Sequence, residues 1–254
     1  MARAPSGFLD RHHFLLRRLH SLSGIIPIGA FLVNHLLTNS TAFLGPDHFD
    51  EHVKWIHDMP WLLALEVLFI FAPLAFHAIY GVVIALQGRS NASAYPYMDN
   101  WRYTLQRVTA WVTLVFIVGH LMHFRFAHWI GGAAYDYKAA YFAFFNHTQS
   151  GFLDLLLPAW VWVAFYAIGT VCAVYHFCNG IVTFCITWGI TIGDRSRQYV
   201  SVGAAGLGVV LCAWGLLSLY ALVRFPPSDN RPVGHGRAER TAQVERGPGG
   251  KLAP

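Results

Sequence analysis

The chain has 254 residues, of which 55% are hydrophobic and only 12% charged, with a formal net charge of +5; a soluble domain carries roughly 25% charged residues. Mean hydropathy is +0.42. This composition excludes an ordinary soluble domain. The positive balance does not indicate a nucleic-acid surface, because the cations flank apolar segments in the way that sets membrane topology.

Residues 1–20 are basic and polar, and an apolar run at about 21–44 follows them. That run is long enough to cross a bilayer, so no cleavable signal sequence is expected. Further apolar runs lie at about 61–87, 104–127, 156–190 and 199–224, each with at least the ~20 residues that a spanning helix needs. The fourth opens around Pro158. The pieces between runs one and two (PDHFDEHVKWIHDMP) and between three and four (YDYKAAYFAFFNHTQ) read as short amphipathic segments at the water interface. The expected fold is all-α: a polytopic membrane domain over residues 1–225, built as a bundle of five transmembrane helices. Residues 226–254 are rich in Pro, Gly and Arg, with little to bury, and are expected to be a disordered tail.

Orientation follows from Lys and Arg. With the N-terminus in the cytoplasm, that side holds Arg3, Arg11, Arg17, Arg18, Arg89, Arg102, Arg107, Arg195 and Arg197, and the outer loops hold Lys54, Arg125 and Lys138. Nine against three supports the N-in arrangement. The outer loop at 47–58 is acidic. Arg224 and the segment after it carry the other six cations outside, a departure with less topogenic weight. The four cysteines, Cys172, Cys178, Cys185 and Cys212, lie in apolar runs without a CxxC spacing. They read as small buried hydrophobes, not as a disulfide or zinc framework.

Ten of the fourteen histidines sit at segment ends, in loops or in turns: His12, His13, His20, His48, His52, His57, His123, His128, His147 and His235. Four sit well inside spans: His35, His77, His120 and His176. A packed core histidine is the commoner reading of any one of them. One on each of the first four helices is another matter, since an ionisable group at that depth is costly and marks function by default. At 1.5 Å per residue, His35 lies ~22 Å along helix one from His20, and His120 ~20 Å past Arg107; both helices run outward. Helix two runs inward and puts His77 ~24 Å from the outer surface, while His176 lies ~27 Å past Pro158. His35 and His120 therefore share the outer half of a ~30 Å core, and His77 and His176 the inner half. Two pairs at two depths can axially ligate two haems and leave no open position, which suits electron transfer. Gly81 and Gly180 follow His77 and His176 by four residues and share their helix faces. They could admit a porphyrin close to the backbone, or serve helix packing.

Four segments carry a resemblance: RRLHSLSGIIPIGAFLVNH (17–35), ALEVLFIFAPLAFHAIYGV (64–82), NWRYTLQRVTAWVTLVFIVGHLMHFR (100–125) and VYHFCNGIVTFCITWGIT (174–191). Together, over about residues 14–215, they resemble the cytochrome b subunit of succinate dehydrogenase and fumarate reductase, in its single-chain form with five helices and two haems. The resemblance implies axial ligation by His35 and His120 at a distal haem b and by His77 and His176 at a proximal one. It implies flavoprotein and iron–sulfur partner subunits that hold the dicarboxylate chemistry, a membrane quinone (menaquinone in several such bacteria) and a place in the bacterial cytoplasmic membrane. It also suggests His20, Ser21 and Trp101 as residues near the haem propionates, with Arg17 and Arg18 close by. Arginines on the inner side could bind propionates by charge-assisted hydrogen bonds or simply anchor the interface. His57, Asp58 and Glu66 are candidates for an outer quinone site, and Glu66 could equally be a helix-start charge.

Two alternatives remain at this level. A transporter with a histidine relay would require deep carboxylates and internal repeats, but Glu66 is the only acid inside a span and no repeat is visible. A haem-free anchor would tether the catalytic subunits and nothing more.

Overall fold

The computed structural model describes residues 7–132, 134–145 and 158–227. The expected tail, apart from its first two residues, lies outside these, as do His147 and Arg3. The described residues form helices and the turns that join them, without strands, and five helices are long and apolar enough to cross a membrane: Arg11–Leu44, Leu62–Gln87, Met98–Ile130, Ala159–Thr187 and Asp194–Arg224.

The first span begins earlier than the apolar run suggests. Helix α1 (Phe8–Ile25) carries arginines and histidines beside the exposed Phe14, Leu15 and Leu19. Long cationic side chains can keep their heads in water while their stems lie along apolar surface, so the helix continues through them. It breaks at Ile26, because Pro27 has no N–H to offer the Ser23 carbonyl, and Pro27 then opens α2 (Pro27–Ser40) in the position where proline is favoured. The chain leaves this span through a tight turn to Gly45, whose φ of 113° and ψ of 167° suit only glycine. Pro46 follows and starts the interfacial helix α3 (Pro46–His57).

The second span is α4 (Leu62–Glu66) and α5 (Ala72–Gln87), joined by a widened π turn at Val67–Phe71. The widening sits just before Pro73, which cannot donate to the Phe69 carbonyl, and so relieves the clash without ending the helix. In the third span a second π turn, Leu121–Phe126, follows α6 (Met98–His120) and leads into α7 (Ala127–Gly131), which closes on Gly132 at φ 70°. Helix α8 (Tyr137–Phe145) is capped by Asp136, whose Oδ1 accepts the Ala139 N–H at 2.6 Å. The fourth and fifth spans are the long helices α9 (Ala159–Thr187) and α10 (Asp194–Arg224).

Leu68, Phe69, Ile79, Val115, Ile168 and Val209 are each more than half exposed. A soluble protein rarely leaves so much apolar surface to water, whereas a lipid-facing surface requires it.

The chain divides into two compact units. One comprises Met1–Leu37, Met59–Leu114 and Gly169–Gly215; the other comprises Thr38–Asp58, Val115–Ile168 and Leu216–Pro254. In the first, Leu36, Val174, Cys178, Val182, Ala204 and Leu211 form the core. Small residues let α9 and α10 approach there: a side chain at Gly208 would meet Cys178 Sγ at 3.4 Å, and one at Gly215 would meet Thr170 Cγ2 at 2.6 Å. The second unit has two cores. One joins Phe49 and Val53 of α3 to Tyr137 and Ala140 of α8 and to Ala221 and Leu222 of α10. The other gathers Phe144, Trp162 and Tyr166. All four cysteines are free, and Cys178 is buried.

Candidate functional site

In the first unit three histidines come together. The rings of His77 on α5 and His176 on α9 have centres 6.2 Å apart and planes at 87°. His77 Nδ1 lies 2.9 Å from the carbonyl oxygen of His20, and His176 Nδ1 lies 3.1 Å from that of Gln106. A carbonyl can only accept, so each Nδ1 carries the proton and each Nε2 keeps its lone pair. That is the tautomer of a metal-binding imidazole whose orientation is fixed by a second bond. With metal–nitrogen bonds of about 2 Å and rings of about 1 Å radius, two imidazoles on opposite sides of one metal ion have centres about 6 Å apart. The separation of His77 and His176 fits an iron held between them. Among the described residues no group of three or more His, Cys, Asp or Glu side chains could hold a bare metal ion; an axially ligated haem asks for two imidazoles only.

His20, read from the sequence as the start of helix one, stands well inside α1. Its ring stacks on His77 at 4.0 Å and 12°, and its Nδ1 is buried without a hydrogen-bond partner. A ring stacked on the face of His77 does not occupy its nitrogen edge. Glycines permit this crowding: a Cβ at Gly24 would lie 2.4 Å from His77 Cε1, and one at Gly81 would lie 3.1 Å from His20 Cε1. The room beside Gly81 is thus taken by His20. Gly180 is more open, with Gln106 Nε2 and Ile25 Cδ1 at 3.8 Å from its absent Cβ.

His176 is held at a second point. Gln106 Nε2 donates to the His176 carbonyl at 3.0 Å, Asn179 Nδ2 donates to Gln106 Oε1 at 2.8 Å, and Arg102 Nε donates to Asn179 Oδ1 at 2.9 Å. Arg102 Nη1 also reaches Ser201 Oγ at 3.0 Å. The other inner-side candidates are engaged locally. Ser21 Oγ donates to the Arg18 carbonyl and accepts from Trp188 Nε1 at 3.1 Å. The exposed Arg17 reaches Gln87 Oε1 at 3.4 Å, and Trp101 is exposed. His35, also in this unit, is half-buried on α2 with Phe31 stacked on its ring at 5.3 Å. Glu66 ends α4 and is half-buried.

His120 belongs to the second unit. Its ring packs against Phe116, Phe124 and Tyr166, with centres at 5.7, 5.4 and 5.7 Å. A Cβ at Gly119 would lie 2.7 Å from the Phe165 ring. His123, taken from the sequence as a segment-end residue, is in fact buried, because the third span continues to Ile130. Its Nε2 donates to the Ala143 carbonyl at 2.9 Å, which leaves Nδ1 to accept from the Tyr166 hydroxyl at 2.9 Å. His57 is exposed on α3, donates through Nδ1 to the Val53 carbonyl at 2.8 Å, and stacks on Tyr135 at 4.1 Å; His128 stacks on Tyr135 at 3.8 Å. Asp58 pairs with Lys54, an exposed ion pair of small energetic weight. Asp50 accepts the Tyr137 N–H at 2.5 Å. Burial raises its carboxyl above the usual range against the pull of that bond, and Asp136 and Asp47 add to the rise. Burial also pushes the Tyr137 phenol up to about 12.

Gly24, Gln106, Asn179 and Tyr166 are absent from the sequence reading, and His123 stands there only as a segment-end residue. A glutamine and an asparagine inside apolar spans were the available signal, since amides in a bilayer core must find partners.

Five apolar helices and no strands among the described residues define a polytopic helical membrane protein. No protein-family model matches the chain. It is similar to the succinate dehydrogenase cytochrome b558 subunit of Bacillus subtilis (strain 168), with 36% identity over 210 residues, covering 83% of this chain and 97% of the relative. The chain belongs to the family of succinate dehydrogenase cytochrome b subunits.

Proposed function

We propose that the chain is the dihaem membrane subunit of a succinate:quinone oxidoreductase, passing electrons between an iron–sulfur subunit and membrane quinone. The observation that carries this reading is the His77–His176 pair: perpendicular rings 6.2 Å apart, each with Nδ1 committed to a carbonyl. His77 and His176 would hold an inner haem b, and His35 and His120 an outer one. When bound, each haem supplies a one-electron Fe(III)/Fe(II) couple with no open position for oxygen. The chain's own contribution is to fix its imidazoles. The His20 and Gln106 carbonyls set the tautomers of His77 and His176, and Gly24 clears the space that His77 occupies. Succinate oxidation, rather than fumarate reduction, is the direction that the relative's name favours; the dicarboxylate chemistry belongs to a flavoprotein partner. Succinate added to the anaerobic complex should reduce both haems, and a menaquinone analogue should then reoxidise them. Haems that stay oxidised under succinate would contradict the reading.

The N-terminus lies in the cytoplasm in this account, with Arg17, Arg18, Arg89, Arg102 and Arg107 on the side of the iron–sulfur partner and the C-terminus outside. Quinone reacts at the outer face, near His57, Asp58 and Glu66. A second haem is needed only if electrons must cross to that side, and a quinone taking two electrons also needs a proton path to water. Each electron then crosses the membrane potential, at ~2.3 kcal/mol per 100 mV. In sealed vesicles an uncoupler should alter succinate–quinone activity, and Glu66→Gln should slow quinone turnover with both haems retained. Indifference to the uncoupler together with a normal Glu66→Gln enzyme would move the site to the inner face.

A further inference from the structure

The polar contacts of Arg102, Gln106, His176 and Asn179 have a single direction. A guanidinium only donates, so the Asn179 atom facing Arg102 Nε must be its oxygen. The Asn179 nitrogen then faces Gln106 and donates to Oε1, which turns the Gln106 nitrogen onto the His176 carbonyl. Neither amide can be flipped without setting two acceptors or two donors against each other. The chain closes a ring at its far end, because His176 Nδ1 donates back to the Gln106 carbonyl at 3.1 Å. Helix α6 thereby grips His176 at both its backbone and its imidazole. Arg102 and Gln106 are one turn apart on α6, and His176 and Asn179 one turn apart on α9, so all four belong to facing strips of two helices. Asn179 is buried at 7% exposure. In apolar surroundings aligned hydrogen bonds polarise one another, and a broken link leaves a costly unpaired group.

We propose that Arg102, Asn179 and Gln106 form an oriented hydrogen-bond relay that positions His176 and holds the reduction potential of the inner haem up. They are positioning residues, acting through His176. The inference rests on the reading of His176 as an axial ligand. Two effects meet here, and the charge of Arg102 sets the sign, because the Nδ1–H bond alone makes the imidazole more basic and favours the oxidised haem. The relay keeps the His176 imidazole in one rotation, with Nδ1–H on the Gln106 carbonyl, and it delivers the cation of Arg102 to the ligand-bearing helix. A nearby positive charge favours the reduced haem, which carries one positive charge fewer, and a low dielectric strengthens the effect.

The test compares Asn179→Leu, Gln106→Leu and Ser201→Ala in the assembled complex, by redox titration and by electron paramagnetic resonance of the oxidised low-spin haems. The outer haem serves as an internal reference. Asn179→Leu and Gln106→Leu should each lower the inner-haem midpoint relative to the outer by a tenfold change in the reduction equilibrium, about 59 mV for one electron, and should shift only the inner-haem resonance. Ser201→Ala removes the second anchor of Arg102 and leaves the His176 contacts in place; it should move the same midpoint in the same direction, by less. If the leucine variants lose the inner haem, Ser201→Ala and Gln106→Met decide by the same readouts. Variants that keep both haems with unchanged inner midpoint and resonance overturn the relay, as does an equal shift of both haems. His176→Ala separates this failure from that of the underlying reading: retention of both haems there would show that His176 is no ligand at all.

Discussion

His77 meets His176 edge to face, with ring planes at 87° and centres 6.2 Å apart, and each ring turns its Nδ1 to a backbone carbonyl, that of His20 for one and that of Gln106 for the other. Two helices distant in sequence thus present two imidazoles with the same nitrogen held back.

Replacing His77 or His176 with Ala is expected to remove one haem and leave the other, halving the reduced b-type absorbance per chain. His35→Ala and His120→Ala should remove the opposite component. Low-temperature difference spectra of the four variants check this; a His77 variant and a His120 variant that lose the same component would break the pairing.

Gly24→Ala is expected to reduce inner-haem occupancy well below one per chain. Its new methyl would start 2.4 Å from His77 Cε1, inside any tolerable contact, and the ring is already packed against His20 on its face. Gly203→Ala, whose Cβ meets nothing within 4 Å, serves as the control and should keep full haem content. Equal occupancy in the two variants would show that the His77 pocket is looser than the contacts imply.

Asp50 gives a prediction with pH. Its folded-state pKa is raised, chiefly by burial, so its ionised form is disfavoured in the native protein, and its contribution is most favourable at pH values below that pKa. As pH rises through the raised pKa, this carboxylate costs stability. Asp50→Asn keeps an oxygen for the Tyr137 N–H and carries no charge. The variant should melt higher than the parent near pH 7, with the gap closing as pH falls. A gap that is absent or reversed at neutral pH would show that the ionised carboxylate is compensated locally.

Tyr166→Phe removes the hydroxyl that donates to the buried His123 Nδ1, and with it a buried hydrogen bond. Thermal stability should fall by about 1–3 kcal/mol. The cost should be smaller in a His123→Phe background, where that bond is already absent. Equal effects in both backgrounds would separate the hydroxyl from His123.

The helical membrane fold was legible because a spanning helix declares itself by length and apolarity. A common depth for His77 and His176 was legible from rise per residue under the expected N-in orientation, while the ring contact between them came only with the structure. The start of α1 was not, because its arginines and histidines lower the hydropathy of a segment that is still helical. His123 was read as a segment-end residue because the polar and basic residues around it masked a span that runs on through a π turn to Ile130. The Arg102–Asn179–Gln106 chain was invisible for a different reason. Each link depends on which faces of α6 and α9 meet, and the periodicity of either helix taken alone does not say. Gly24 belongs with these, since only the structure brings His77 against it.

The central claim is that this chain holds two bis-histidine haems. Its most direct measurement is the haem content of the purified chain by pyridine haemochrome assay, with electron paramagnetic resonance of the oxidised protein. The account predicts two b haems per chain, both low-spin, with one low-spin signal lost on replacing His176. One haem or none in the fully assembled complex, or a high-spin signal in the parent protein, would contradict it.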